Sequence, residues 1–394
     1  MTDTVWLPEA MTRFRCNQQG CCCKQWNIRM DVESVFHIVQ ELPDDRTGEI
    51  LDGARVIRDP ADGKVVSLDL RRRAPDDRCV FLEPELTCEV HRKLGGDALP
   101  KLCQAFPVTS VRHGDRLQLA WDPICPEVLE RIAESDGPYP VTAAACGPGT
   151  PLASRVVTPQ PLPEIEIGGV ALTPDELAAL SARVTAHLES GARPALDLLA
   201  SANAAVARAV TGGPDALSLD PDEDVSDFDE FFEWCVGAHD GRTLWGFVRQ
   251  YRRFVFAVPL PPAPWGDQDA LFEYDPDWRA VVDPRDPALD GFLRRYLAHR
   301  FFSAFERSPA TGFVAFNYGS VNHTLGSAFR VAVGLSRWLG RPVDKDVMKV
   351  AVGASEYLFR TLSLPAVAMP WFRLDVNEKL TLLEEDQTPG STEG

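Results

Sequence analysis

The sequence predicts a mainly α protein: an irregular, cysteine-rich N-terminal domain packed on a larger helical domain. Three observations lead there. Nine of the ten cysteines lie within the first 146 residues. Helical periodicity with recognisable caps begins only at Thr173. Between the two, residues 147–173 are rich in Pro and Gly and read as a linker or crossing segment.

Residues 1–146 carry short apolar segments broken by turn residues, the pattern of an irregular domain. Within the linker, Glu164–Ile167 alternates polar and apolar residues and predicts one short strand. Thr173-Pro174-Asp175-Glu176 then places a capping residue, a first-turn proline and two acids before a helical run. A second helix is predicted over Pro194–Val210, ending at Gly212-Gly213. The acidic stretch Asp215–Asp229 lacks the ligand spacing and central glycine of a calcium-binding loop and reads as solvated. Aromatic-rich Phe228–Val258 predicts two helices, or one broken near Gly241. Leu293, Tyr296, Leu297, Phe301 and Phe305 recur at helical spacing and predict a helix over Leu289–Glu306. Two more helices, Asn322–Leu339 and Val343–Leu364, flank Gly340-Arg341-Pro342. The helical domain is thus expected over residues 174–382, with a disordered polar tail at 383–394.

Composition narrows the function classes. The chain has 394 residues, 45% apolar and 25% charged, with a formal net charge of -18. That charge argues against a nucleic-acid partner, which needs a basic face. No apolar run approaches the roughly 20 residues of a membrane span, so no membrane partner is expected. The N-terminal residues show neither the basic start nor the apolar run of a signal peptide, which predicts a cytoplasmic protein. Residues 1–150 hold 18 basic and 24 acidic side chains, so most of the net negative charge lies in the second half. Such a half suits a cationic partner as well as solubility.

In a reducing compartment, clustered cysteines point to metal binding or redox chemistry rather than disulfides. Three blocks carry them: Cys16 with Cys21, Cys22 and Cys23; Cys79 with Cys88; and Cys103 with Cys125. Thiolates are soft ligands suited to iron–sulfur clusters, zinc or copper(I). Adjacent cysteines close a strained ring on a single ion, so Cys22 and Cys23 favour a multi-iron cluster or two sites over one zinc. His91 follows Cys88 by three residues, where both side chains can share a helix face, as a ligand or as a partner to one. Isolated Cys235 reads as a core residue, and Cys146 is undecided.

The motifs Cys79-x-Phe81-Leu82, Cys88-Glu89-Val90-His91 and Cys103-x-x-Phe106-Pro107 resemble a cysteine-cluster family of zinc- or iron-chelating proteins. Cys22-Cys23-Lys24-Gln25-Trp26-Asn27-Ile28, followed by Asp31, is similar to the flagellin lysine-N-methylase branch. Two departures stand out: Gln19 occupies the place of a family cysteine, and Cys21, Cys22 and Cys23 are contiguous.

The resemblance implies methyl transfer from S-adenosylmethionine to an amine, on a flagellin-like protein lysine or a small molecule, with an iron–sulfur or other metal centre. No glycine-rich S-adenosylmethionine loop supports the cofactor independently. A lysine ammonium must lose a proton before attack, and Asp31, Glu89 and Tyr318 are the candidate acceptors. Trp26 is a candidate to pack over a sulfonium by cation–π attraction, or else a core aromatic. Two alternatives use the same thiols: a metal-cluster redox or oxygenating enzyme, and a non-catalytic metal-binding protein.

Overall fold

The computed structural model describes residues 3–13, 23, 28–42, 44–52, 54–70, 72–73, 78–85, 87–113, 116–134, 139, 141–146, 160–161, 165–167, 170–220, 226–246, 248, 268–303 and 313–361. The predicted tail at 383–394 lies outside them, as does the greater part of the Pro/Gly-rich segment.

The chain is mainly α, as its periodicity predicts, but the cysteine-rich half is not irregular. Among the described residues it carries a five-stranded and a three-stranded sheet, neither expected from the sequence, besides a short two-stranded pair. The larger joins β10 (Gln160–Pro161), β7 (Val108–His113), β8 (Arg116–Trp121), β1 (Asp3–Pro8) and β9 (Val141–Cys146) in that order. β7 and β8 form an antiparallel hairpin, with Val108 opposite Trp121. β1 fills the slot between β8 and β9, parallel to the first and antiparallel to the second. Leu117, Gln118, Leu119, Ala120 and Trp121 are all buried, so β8 is covered on both faces. β9 instead alternates with a period of two, the pattern of a strand with one solvent face.

The smaller sheet pairs β2 (Ile28–Asp31), β4 (Val65–Leu70) and β3 (Ala54–Arg58), all antiparallel. Helices α1 (Val32–Glu41) and α2 (Asp44–Asp52) belong to this unit. Its own apolar cluster includes Met30, Val35, Ile38, Leu42, Ile50, Leu68, Leu70, Phe81, Leu82 and Val90. Two short helices, α3 (Glu89–Leu94) and α4 (Lys101–Ala105), complete this half, with α5 (Pro126–Glu134) leading toward the helical part.

Glu164–Ile167 is predicted as a strand, and β11 (Ile165–Ile167) forms there, paired with β12 (Val170–Leu172). α6 (Pro174–Glu189) starts with the predicted capping box: Glu176 N–H donates to Thr173 Oγ1 at 3.3 Å, and Thr173 N–H to the Glu176 carboxylate at 2.7 Å. Thr173→Ala is expected to cost about 1 kcal/mol, read as a lower urea midpoint.

α7 (Ala195–Gly212) and α8 (Ser226–Gly237) follow, then a helical stretch at residues 241–246 (α9). α10 (Pro287–Ser303), α11 (Phe313–Leu339) and α12 (Lys345–Thr361) complete the helical part. α11 starts nine residues before its predicted onset at Asn322. Its middle presses on α8 at Gly326. A Cβ there would lie 2.7 Å from the backbone carbon of Cys235 and 2.8 Å from Val236 N. Cys235 is fully buried at this crossing, as predicted for a core residue.

One apolar core runs through both halves. It includes Val5, Leu7, Leu117, Leu119 and Trp121 of the larger sheet, Val128, Leu129 and Ile132 of α5, and helical residues as far as Leu358.

Candidate functional site

Among the described residues the cysteines are scattered between the two cores. Cys23 and Cys79 are buried in the smaller core, and half-buried Cys88 and Cys103 pack against it. Cys125 and Cys146 are buried in the larger core instead. Cys16, Cys21, Cys22 and Trp26 lie outside the described residues. No group of three or more His, Cys, Asp or Glu side chains among the described residues is gathered closely enough to hold a metal ion.

Local hydrogen bonding explains how the second block folds back on itself. Cys79 ends β6 (Arg78–Cys79), which pairs with β5 (Arg72–Arg73). Leu82 N–H donates to Cys79 O at 3.0 Å, closing a tight turn. Leu82 then bridges to Cys88, and Glu89 N–H donates to Phe81 O at 2.8 Å. Cys88 occupies the N-cap position of α3 without using its side chain as the cap. Outside this loop, Arg92 grips Glu83 through two bonds of 2.6 and 2.8 Å. The Arg92 hydrogen bond, aided by Thr87, holds the Glu83 carboxyl down at about 2.

The other predicted positions have local roles as well. Half-buried His91 sits on α3, its Nε2 3.7 Å from where a Cβ on Gly96 would stand. Asp31 caps α1, accepting from Ser34 N–H at 2.8 Å and from the Ser34 hydroxyl at 2.7 Å. Burial opposes its charge, but these two bonds and nearby Lys101 outweigh it and lower the carboxyl pKa. Buried Glu89 pairs with Lys93 at 2.7 Å. Tyr318 lies in α11, with its side chain outside the described residues.

A buried polar junction not expected from the sequence lies where the two halves meet. Asp122 N–H donates to Pro107 O at 2.7 Å, and Cys125 N–H to Asp122 O at 3.0 Å. The third cysteine block is therefore tied into the turn after β8. From α10, His299 Nε2 reaches Trp121 O in the same turn at 2.8 Å, while its Nδ1 meets the Tyr139 hydroxyl. Next to His299, Arg300 Nε lies 2.9 Å from Glu356 Oε1, which also accepts from Tyr296 Oη at 2.6 Å. Arg300, Glu356 and Tyr296 are all buried. The available signal was polar His299-Arg300 set between apolar Leu297 and Phe301 in a helical run. Taken alone, each residue reads as ordinary.

Two further histidines lie elsewhere: His239 just beyond the end of α8, and His323 within α11. His323 meets the Trp234 ring edge-on at 4.6 Å between centroids. Burial first, and His239 second, push its imidazole down to about 3. The folded state therefore resists a proton that the unfolded chain takes up near pH ~6.5. Stability is expected to be level above that pH and to fall as pH drops from ~6.5 toward 3. Urea midpoints across this range should fall less steeply in His323→Phe.

No family model matches the chain, and no solved structure matches it significantly. Three curated proteins do. The lysine-N-methylase of Salmonella typhimurium is 27% identical over 140 residues, 33% of this chain and 32% of the relative. The flagellar biosynthetic protein FliU of Salmonella muenchen is 26% identical over 140 residues, 33% of this chain and 76% of the relative. The lysine-N-methylase of Salmonella choleraesuis is likewise 26% identical over 140 residues. The match therefore spans about a third of each lysine-N-methylase. No helix among the described residues is long and apolar enough to cross a membrane.

Proposed function

We propose that the chain is an S-adenosylmethionine-dependent N-methyltransferase with a cysteine-bound metal centre, acting on a protein lysine or another amine. The observation that carries this reading is the similarity to lysine-N-methylases. The placing of Cys23, Cys79, Cys88 and Cys103 at one small apolar core supports it. Soft thiols in an apolar setting suit an iron–sulfur cluster, with zinc as the alternative. In this proposal those four cysteines hold the centre together with Cys16, Cys21 and Cys22, and His91 is a ligand or its neighbour. Cys125, in the larger core, is the least suited of the predicted ligands. When bound, such a cluster supplies an open metal position for the amino and carboxylate groups of S-adenosylmethionine.

The chain itself must bring a cationic amine close and take its proton. Its net charge of -18 favours the approach of a cation. Of the acceptors proposed from the sequence, Asp31 is bound to Ser34 and Glu89 to Lys93, while Tyr318 is the third position. Trp26 is proposed to face the sulfonium.

The test is anaerobic purification, metal and sulfide analysis, titration with S-adenosylmethionine, and methyl transfer to a lysine peptide or flagellin. Cys79→Ser is expected to lose most of the bound metal and all transfer, and Cys235→Ala to keep both. Metal-loaded protein that binds no S-adenosylmethionine would overturn the methyltransferase reading. Equal metal content in both variants would overturn the ligand assignment.

A further inference from the structure

We infer that the outer edge of β3 is a docking strand for an extended, acidic segment of a partner protein, one that carries two apolar residues between two acids. Methyl transfer plays no part in this assignment. β3 lies at the end of its sheet, in the order β2–β4–β3, and no strand among the described residues pairs with its outer side. Such an edge offers backbone N–H and C=O groups to a strand laid beside it. β2 pairs with β4 only as far as Ser67, so the β3–β4 hairpin continues beyond it as a two-stranded ribbon. Val65 and Val66, in that extension, are 39% and 47% exposed. Val56 of β3 is also 47% exposed, although Leu68, opposite it in the register, is buried. The cover over the smaller core therefore stops short of β3, and leaves apolar surface beside its open edge.

The charges decide which strand fits. β3 reads Ala54-Arg55-Val56-Ile57-Arg58, with both arginines exposed. In the turn beyond it the acids are committed locally. Asp59 accepts from Ala61 N–H at 2.8 Å, while Asp62 accepts from Lys64 N–H at 2.9 Å and pairs with its ammonium at 2.6 Å. Asp69 stands opposite Arg55 on β4, on the inner side of the edge. Arg58 gives one N–H to Gly63 O at 2.9 Å, and a guanidinium has five. On a chain whose net charge is -18, this edge thus sets two cations on either side of two apolar residues.

A second copy of the chain is a poor occupant. Laid antiparallel on β3 about Val56 and Ile57, it would set Arg55 against Arg58 twice, and like charges directly opposite are destabilising. The strand that fits has the complementary order: acid, apolar, apolar, acid. Successive side chains of a strand point to opposite faces. Each face of the added strand then gains one apolar contact and one ion pair, at Val56 and Arg58 on one side and at Ile57 and Arg55 on the other. Main-chain pairing supplies the hold, and the two arginines supply the choice of partner.

The experiment uses the full-length chain and three blocked peptides. One carries Glu-Val-Val-Glu between pairs of threonines, one carries Lys-Val-Val-Lys in the same frame, and one repeats the first with N-methylated valines. Binding is measured by calorimetry, and the bound segment is located by hydrogen exchange. The acidic peptide is expected to bind about tenfold more tightly than the basic one and to slow exchange within Ala54–Arg58. N-methylation should abolish binding, because it removes the amides that pair with the edge. Arg55→Glu combined with Arg58→Glu should reverse the preference while the circular dichroism spectrum stays unchanged. Arg55→Gln with Arg58→Gln, which adds no new charge, should remove the preference and serves if the reversed variant does not fold. Equal affinity for both charged peptides, no binding of either, or protection outside β3 would overturn the assignment. So would protection of Ala54–Arg58 that grows with protein concentration alone, alongside a dimer mass, since the edge would then serve a second copy.

Discussion

Alanine in place of Glu356 is expected to destabilise the chain by about 3–5 kcal/mol, the cost of leaving a buried charge without its partner. Glu356 and Arg300 keep 1% and 3% of their side-chain surface, so solvent cannot take over the lost contact. Tyr296 Oη would lose its acceptor in the same substitution. The measurement is the urea midpoint, with the slope of the transition checked for constancy. Arg300→Met combined with Glu356→Leu separates the cause. Removing both charges together should recover most of the loss, because the penalty lies in the orphaned ion and not in the missing pair. If Glu356→Ala costs less than 1 kcal/mol, the ion pair is not the buried, closed arrangement described here.

The second large effect is expected at Gly326. A methyl group there meets the backbone of Cys235 and Val236 at 2.7–2.8 Å, and backbone cannot rotate aside as a side chain can. α8 and α11 must therefore separate, which places Gly326→Ala near the upper end of overpacking costs, about 3 kcal/mol. Gly246→Ala is the control, since nothing lies within 4 Å of a Cβ at that position. Thermal midpoints of the two variants should differ by several degrees.

The helical part was legible because its signals are local. Thr173-Pro174 and the three-to-four-residue apolar recurrence around Tyr296 and Leu297 need only a few neighbouring residues to be read. The larger sheet was not, because its central pairing joins Val5 to Leu117 and its strands are two to six residues long. Cys79 and Cys88 were read as one block, and a turn with a bridge does bring the chain back between them. Cys125, in a block with Cys103, joins the expected ligand set on residue type alone. Its backbone bond to Asp122 and its burial with Val128 and Leu129 are consequences of tertiary packing. The bonding of His299 is not legible for the converse reason: its partners, Trp121 and Tyr139, lie more than 150 residues away.

The position of β1 has a kinetic consequence. It is made before both neighbours, yet it belongs between them, so the sheet cannot close until residues 116–146 have emerged. Until then Val5 and Leu7 remain exposed apolar residues on an unpaired segment. Such long-range closure slows folding and lengthens the window for aggregation. Hydrogen exchange pulsed during refolding should label the amides of α6 and α7 as protected well before those of β1.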